Sequence, residues 1–114
     1  MNNKNLVRVN FQHDINHIIF NSEVTKENIS QFKLSFQEII DQYANNFIID
    51  LTNEIKFTAH ALKLILSFYK SLEPLKRSLG LLTNEQTKNI LESMSVTHFI
   101  KIETNSETLI EKMK

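Results

Sequence analysis

The chain has 114 residues, 41% apolar and 23% charged, which fits one folded domain, residues 1–114, with a single core and argues against disorder. Thirteen basic side chains balance thirteen acidic ones, so no basic excess speaks for nucleic acid or an anionic membrane. Cysteine is absent, which excludes disulfides, thiolate zinc sites and cysteine nucleophiles, and the single glycine, Gly80, excludes the GxGxxG and P-loop phosphate motifs.

The N-terminal MNNKNLVRVN lacks the apolar core of a secretory signal, and no run approaches the roughly 20 residues of a membrane helix. A cytoplasmic protein is the expectation. Leu6 to Gln12 alternates, with Val7, Val9 and Phe11 on one side and Arg8, Asn10 and Gln12 on the other, as in a half-buried strand. His13-Asp14-Ile15-Asn16 supplies a turn, and His17 to Val24 resumes a strand around Ile18, Ile19 and Phe20, making a hairpin. Thr25 is placed as the N-cap of a first helix whose Ile29, Phe32, Phe36, Ile39, Ile40 and Tyr43 recur at spacings of three and four. Leu34 lies off that stripe by more than a right angle, at about 100° per residue, and is a candidate exposed contact.

Phe47-Ile48-Ile49-Asp50-Leu51 is a nearly unbroken apolar run, the pattern of a strand covered on both faces, so Ile49 is expected among the most buried residues. After the polar break Thr52-Asn53-Glu54, the residues Ala61, Leu62, Ile65, Phe68, Tyr69 and Leu72 form one face of a second helix. Thr58 is its N-cap, a contribution of roughly 1 kcal/mol. Pro74 stops this helix, and Ser78 to Leu82 is a short strand. Thr83 to Gln86 reads as a capping box for a third helix with Ile90, Leu91 and Met94 inward. Phe99 to Ile102 alternates like an edge strand, and Thr104 to Glu107 is a second capping box opening a last helix with Leu109, Ile110 and Met113 inward. With so little glycine, left-handed turn positions are expected to fall mostly to Asn and Asp. The order β β α β α β α β α implies an α/β domain with a mixed, largely parallel sheet and helices packed against it.

Asp50-Leu51, the polar loop after it and Leu62 with Leu64-Ile65-Leu66 resemble the central segment of the STAS domain (sulfate transporter and anti-sigma-factor antagonist). In that family a strand ending in Asp-Leu or Asn-Leu leads through a loop to an Asp-Ser-Ser-Gly-Leu motif and a leucine-rich helix. Leu82-Thr83-Asn84 through Ile90-Leu91 to Ser95-Val96 is similar to the family's later strand, capped helix and Leu-x-x-x-Gly-Leu turn, with Ser95 in place of the glycine. The resemblance spans nearly the whole chain. The motif itself departs: Thr58 stands for the Asp, Ala59 and His60 for the two serines, and Ala61 for the Gly.

The resemblance implies a non-catalytic regulator of bacterial transcription that binds a protein partner. An anti-sigma-factor antagonist offers this end of its central helix to an anti-sigma factor, a partner-switching kinase of the GHKL type, and is released when the motif serine gains a phosphate of about −1.5 to −2 charges. Carried onto this chain, the partner surface is Asn53, Glu54, Thr58, Ala59, His60, Ala61 and Lys63. Both serines are missing, so Thr58 is the nearest hydroxyl left as a phosphoacceptor, and as an N-cap its oxygen is already engaged. The alternative is a STAS subunit docked on an ABC transporter ATPase or in a stress-sensing complex; a homodimer is left open.

No catalytic set is visible: there is no Ser-His-Asp arrangement of known spacing, no HExxH and no framed pair of carboxylates. His13 and His17, with Asp14, flank the hairpin turn, but without an acidic or thiol cluster they read as ordinary hairpin residues rather than metal ligands. His60, in the first turn of the second helix, is a partner contact, a general base or simply a partly exposed helix residue. No metal, cofactor or enzymatic activity is expected.

Overall fold

The computed structural model describes residues 6–53 and 56–114. It comprises β1 (Val7–Gln12), β2 (Ile15–Phe20), α1 (Ile29–Gln42), β3 (Asn46–Asp50), α2 (Ala59–Leu72), β4 (Leu79–Leu82), α3 (Glu85–Ser93), β5 (Lys101–Glu103) and α4 (Ser106–Met113). Single 3-10 turns, Glu73–Leu75 and Val96–His98, follow α2 and α3. The element order is the expected one. The five strands lie in the order β1-β2-β3-β4-β5, with β1 antiparallel to β2 and every other neighbour parallel.

The hairpin turn is tighter than expected. His13 (φ 54°) and Asp14 (φ 63°) are both left-handed and form a two-residue loop whose twist matches the strands, so Ile15 and Asn16 already belong to β2. Asn16 is buried and donates from Nδ2 to the carbonyls of Ala44 and Asn46, tying β2 to the start of β3. Among the described residues the left-handed ones are His13, Asp14, Asn45, Lys76 and Ser95, so Asn and Asp supply fewer of these than expected. Ser95 holds this conformation at the position where the sequence resemblance has a glycine.

Three helix starts are shifted from their expected caps. Thr25 does not cap α1; it forms a turn one step earlier, donating N–H to Asn28 Oδ1 (2.8 Å) and accepting from Asn28 N–H at Oγ1 (3.3 Å), and Asn28 becomes the N-cap. Asn84, not Thr83, caps α3 by accepting from Thr87 N–H (2.7 Å), and Asn105, not Thr104, caps α4 by accepting from Thr108 N–H (3.0 Å). At α3 and α4 the threonine was the wrong choice because the asparagine beside it is the stronger cap. On α3, Thr87 and Leu91 turn inward, whereas Ile90 and Met94 are 45% and 51% exposed, contrary to the expected face. β5 starts at Lys101 rather than Phe99, which ends the 3-10 turn and packs on Tyr69 with ring centroids 5.1 Å apart.

The end of α1 carries no basic residue in its last turn, and Arg77 supplies the missing cation from far along the chain. Its Nη1 donates to the carbonyls of Ile40 (3.2 Å) and Tyr43 (2.8 Å).

β3 is covered on both sides. Phe47 and Ile49 join Ile18, Phe20, Leu79 and Leu81 beneath α1, α2 and α3, where Phe20, Phe32, Phe36, Phe68 and Phe47 form a chain of tilted and edge-on ring contacts. Ile48 joins Ile15 and Leu82 on the opposite face beneath Leu109, Ile110 and Met113 of α4. Ile49 is fully buried, as expected.

Gly80 makes that second layer close. Its φ is not positive; a Cβ there would stand 2.5 Å from Met113 Sδ and 3.0 Å from Leu109 Cδ1. Gly80→Ala should therefore overpack the α4 layer and destabilise by about 1–3 kcal/mol in denaturant melts. The loss should shrink when combined with Met113→Ala, so that the double variant costs less than the sum of the two singles.

Candidate functional site

Strands β2 to β5 run parallel and end at one edge of the sheet, and the loop from β3 to α2 lies there. In sheets of this kind ligands and partners meet the carboxyl ends of the strands. Leu51 extends the ladder by donating N–H to Leu82 O (2.7 Å). Asp50 then turns the chain: its Oδ1 accepts the backbone N–H of Thr52 (2.8 Å) and the Thr52 hydroxyl (2.5 Å). Asn53 donates from Nδ2 to Phe20 O at the end of β2 (2.7 Å).

Thr58 fastens the far end of the loop. Its Oγ1 accepts from Ala61 N–H (3.0 Å), as an N-cap does, and donates to Val24 O (2.6 Å). Phe57 before it and Leu62 after it occupy the two positions of a hydrophobic staple, both partly buried against the core. That staple was readable in the sequence and is the signal that would have found Phe57. The bond to Val24 O was not readable, because it joins residues 34 apart.

The seven residues expected at the partner surface do not all present themselves. Asn53, Ala59 and Lys63 are exposed, Thr58 and His60 are partly so, and Glu54 lies outside the described residues. Ala61 is corrected: at 2% exposure it faces inward and offers no side chain to a partner. It lines, with Phe20, Val24, Leu51, Asn53, Lys56 and Phe57, a cavity of about 10 Å³. A space of that size holds roughly one water molecule, far below the several hundred Å³ of a small-molecule pocket. The first turn of α2 holds no acidic side chain, so the partial positive charge of the helix end is not offset there, and exposed Lys56 and Lys63 add to it. Leu34, on α1, is 60% exposed.

The hydroxyl of Thr58 is committed in both directions. Its proton points to Val24 O and a lone pair receives Ala61 N–H, so transfer of a phosphoryl group to Oγ1 would first have to free both bonds. The histidines stand apart: His13 is exposed in the hairpin turn, whereas His17 is buried in β2 with Nε2 lacking a hydrogen-bond partner among the described residues. No group of three His, Asp or Glu residues with metal-binding geometry occurs among the described residues.

Compared by sequence, the chain matches no protein-family model and no curated protein. By structure it is similar to a candidate anti-sigma factor antagonist from Thermotoga maritima, with TM-score 0.81 at 19% identity over 97% of each chain. An NMR structure of that protein gives TM-score 0.76 at 20% identity, covering 92% of this chain and 86% of the other. An anti-sigma factor antagonist from Mycobacterium paratuberculosis gives TM-score 0.75 at 10% identity, covering 94% and 92%. The fold is thus the STAS-like one of anti-sigma factor antagonists, as the sequence resemblance implied. Among the described residues no helix is long and apolar enough to cross a membrane.

Two outcomes follow from these side chains. Thr58→Val keeps the shape but strands Val24 O and Ala61 N–H, and should cost about 1–3 kcal/mol in denaturant melts, while Thr58→Ser should retain most of the stability. Burial holds the His17 pKa below its ordinary 6.5, with His13 adding to the effect and Asp50 and the Gln12 backbone opposing it. The unfolded chain therefore takes up a proton near pH 6.5 that folded His17 resists. Its contribution to stability is full above that pH and is lost as pH falls from there toward the lower folded-state value. His17→Gln should flatten the stability profile across that window.

Proposed function

We propose that this protein is a non-catalytic STAS-domain regulator that binds a cytoplasmic protein partner through the N-terminal end of α2, without a phosphorylation switch at that end. Its fold likeness to anti-sigma factor antagonists supports the class of regulator. The partner in that reading is an anti-sigma factor of the GHKL kinase type. The contact surface is Asn53, Ala59, His60 and Lys63, with Thr58 as its rigid base; Glu54, next in sequence to Asn53, is proposed to belong to it and lies outside the described residues.

The observation that carries the unswitched reading is the state of Thr58. Ala59 and His60 have no hydroxyl, and the Thr58 hydroxyl beside them is held between Val24 O and Ala61 N–H. Electrostatics is not the obstacle, since a phosphate at a helix N-terminus is favoured by roughly 0.3–1 kcal/mol. What is missing is a free acceptor. The surface stays permanently in its binding form, and control of the complex rests on the partner or on protein abundance.

Ala59→Asp should weaken the partner complex tenfold or more, about 1.4 kcal/mol, by placing at the surface the charge that a phosphate would bring. Because an acidic residue in a first turn stabilises the helix, weaker binding by this variant cannot be assigned to unfolding. Leu34→Asp on α1 should have a smaller effect. Pull-down from the native cell, followed by phosphosite mass spectrometry, supplies the partner and the test. Stoichiometric phosphate on Thr58 would overturn the unswitched reading, and full partner binding by the Ala59→Asp, His60→Asp double variant would overturn the location.

A further inference from the structure

The sheet has two edges, and they are built differently. β5, at one edge, is three residues long with charged Lys101 and Glu103, the short and charged form by which natural sheets discourage further pairing. β1, at the other edge, runs for six residues in unbroken register with β2, without proline or bulge and with Arg8 as its one charge. Among the described residues it pairs with β2 alone.

The direction of its free backbone groups can be assigned. Asn21 N–H donates to Leu6 O (2.8 Å), which makes Leu6 and Asn21 a hydrogen-bonded pair. Such pairs alternate along an antiparallel ladder, so Arg8, Asn10 and Gln12 bond to β2 while Val7, Val9 and Phe11 turn N–H and C=O outward. The side chains of Val7, Val9 and Phe11 share a face with Phe20, Ile18 and Asn16, their partners on β2, and Phe11 is 55% exposed.

We infer that β1 is the seam of a homodimer, in which two copies pair their β1 strands antiparallel about a two-fold axis at Val9 and join their sheets into one. With the axis there, Val9 meets Val9 of the second copy, and Val7 meets Phe11 in both directions. All the outward N–H and C=O groups of the three residues then find partners, six hydrogen bonds in total. A two-fold perpendicular to the sheet keeps both sets of side chains on one face, so exposed Phe11 gains an apolar neighbour.

Charge selects this register. It places Arg8 opposite Asn10, whereas a slip that centres the axis on Arg8 opposes two like charges, and a slip toward Asn10 leaves Val7 beyond the seam. The net charge of 0 at pH 7 brings no long-range repulsion between copies. This contact is separate from the α2 surface and stands or falls independently of the partner proposed there.

Sedimentation velocity and light scattering of the purified full chain should give twice the 13.4 kDa chain mass. Val9→Pro removes an outward N–H and no bond to β2, so it should halve that mass while keeping the circular dichroism of the parent. If this variant fails to fold, Val9→Lys serves the same purpose. Register is tested in a chain free of native cysteine: Val9→Cys should cross-link to itself under oxidation or with a short bis-maleimide, Val7→Cys alone should not, and a mixture of Val7→Cys with Phe11→Cys should. A wild-type protein that stays monomeric at every concentration would overturn the inference. So would equal cross-linking by Val7→Cys alone, or an edge that is occupied only when another protein is added.

Discussion

Three consecutive residues of β3, Phe47, Ile48 and Ile49, leave no surface to water, and that requires apolar cover on both faces of the sheet. Alternation sends Phe47 and Ile49 toward α1 and α2 and Ile48 toward α4. The two layers are unequal: five phenylalanines in tilted and edge-on contact fill one, while a single short helix closes the other. A helix of eight residues has little apolar surface to contribute, so it must sit close, and Gly80 is the absence of side chain that lets it. The only glycine in the chain is thus spent on approach distance rather than on a turn.

The same central strand delivers the loop that carries the candidate surface. Asp50, Asn53 and Thr58 each contribute a side chain to hold the backbone, to Thr52, Phe20 and Val24 respectively. Two of those bonds reach 33 and 34 residues back to the end of β2 and the segment after it. The N-terminal end of α2 is therefore fixed relative to the sheet before any partner arrives, which lowers the ordering cost of binding. In the reading proposed above, the hydroxyl that fastens the loop is also the group a kinase would have to modify, so rigidity and modification compete for one atom.

Element order and the covered central strand were legible because they rest on repeated apolar spacing, which many residues report together. Helix caps were less legible because a single residue decides them: Thr83-Asn84 and Thr104-Asn105 each offer two candidates, and the asparagine wins. The strand-loop-helix order on which the proposed surface rests followed from that spacing. The inward turn of Ala61 did not, because it lies at the third helical position, where the helix turns from solvent to core. The bonds of Asn16, Arg77 and Thr58 across the fold have no local signature at all.

Arg77 gives the fold a dependence in time as well as in space. The carbonyls of Ile40 and Tyr43 are made about 35 residues before the guanidinium that donates to them, at separations of 37 and 34. The backbone closes the last turn of α1 through Tyr43 N–H and Ile39 O, but two carbonyls there gain their side-chain donor only once the connection from α2 to β4 has been made. A helix end that gains its donor late in this way links the first half of the chain to the second in one cooperative unit, so the N-terminal hairpin and α1 have little reason to persist as a separate folded intermediate.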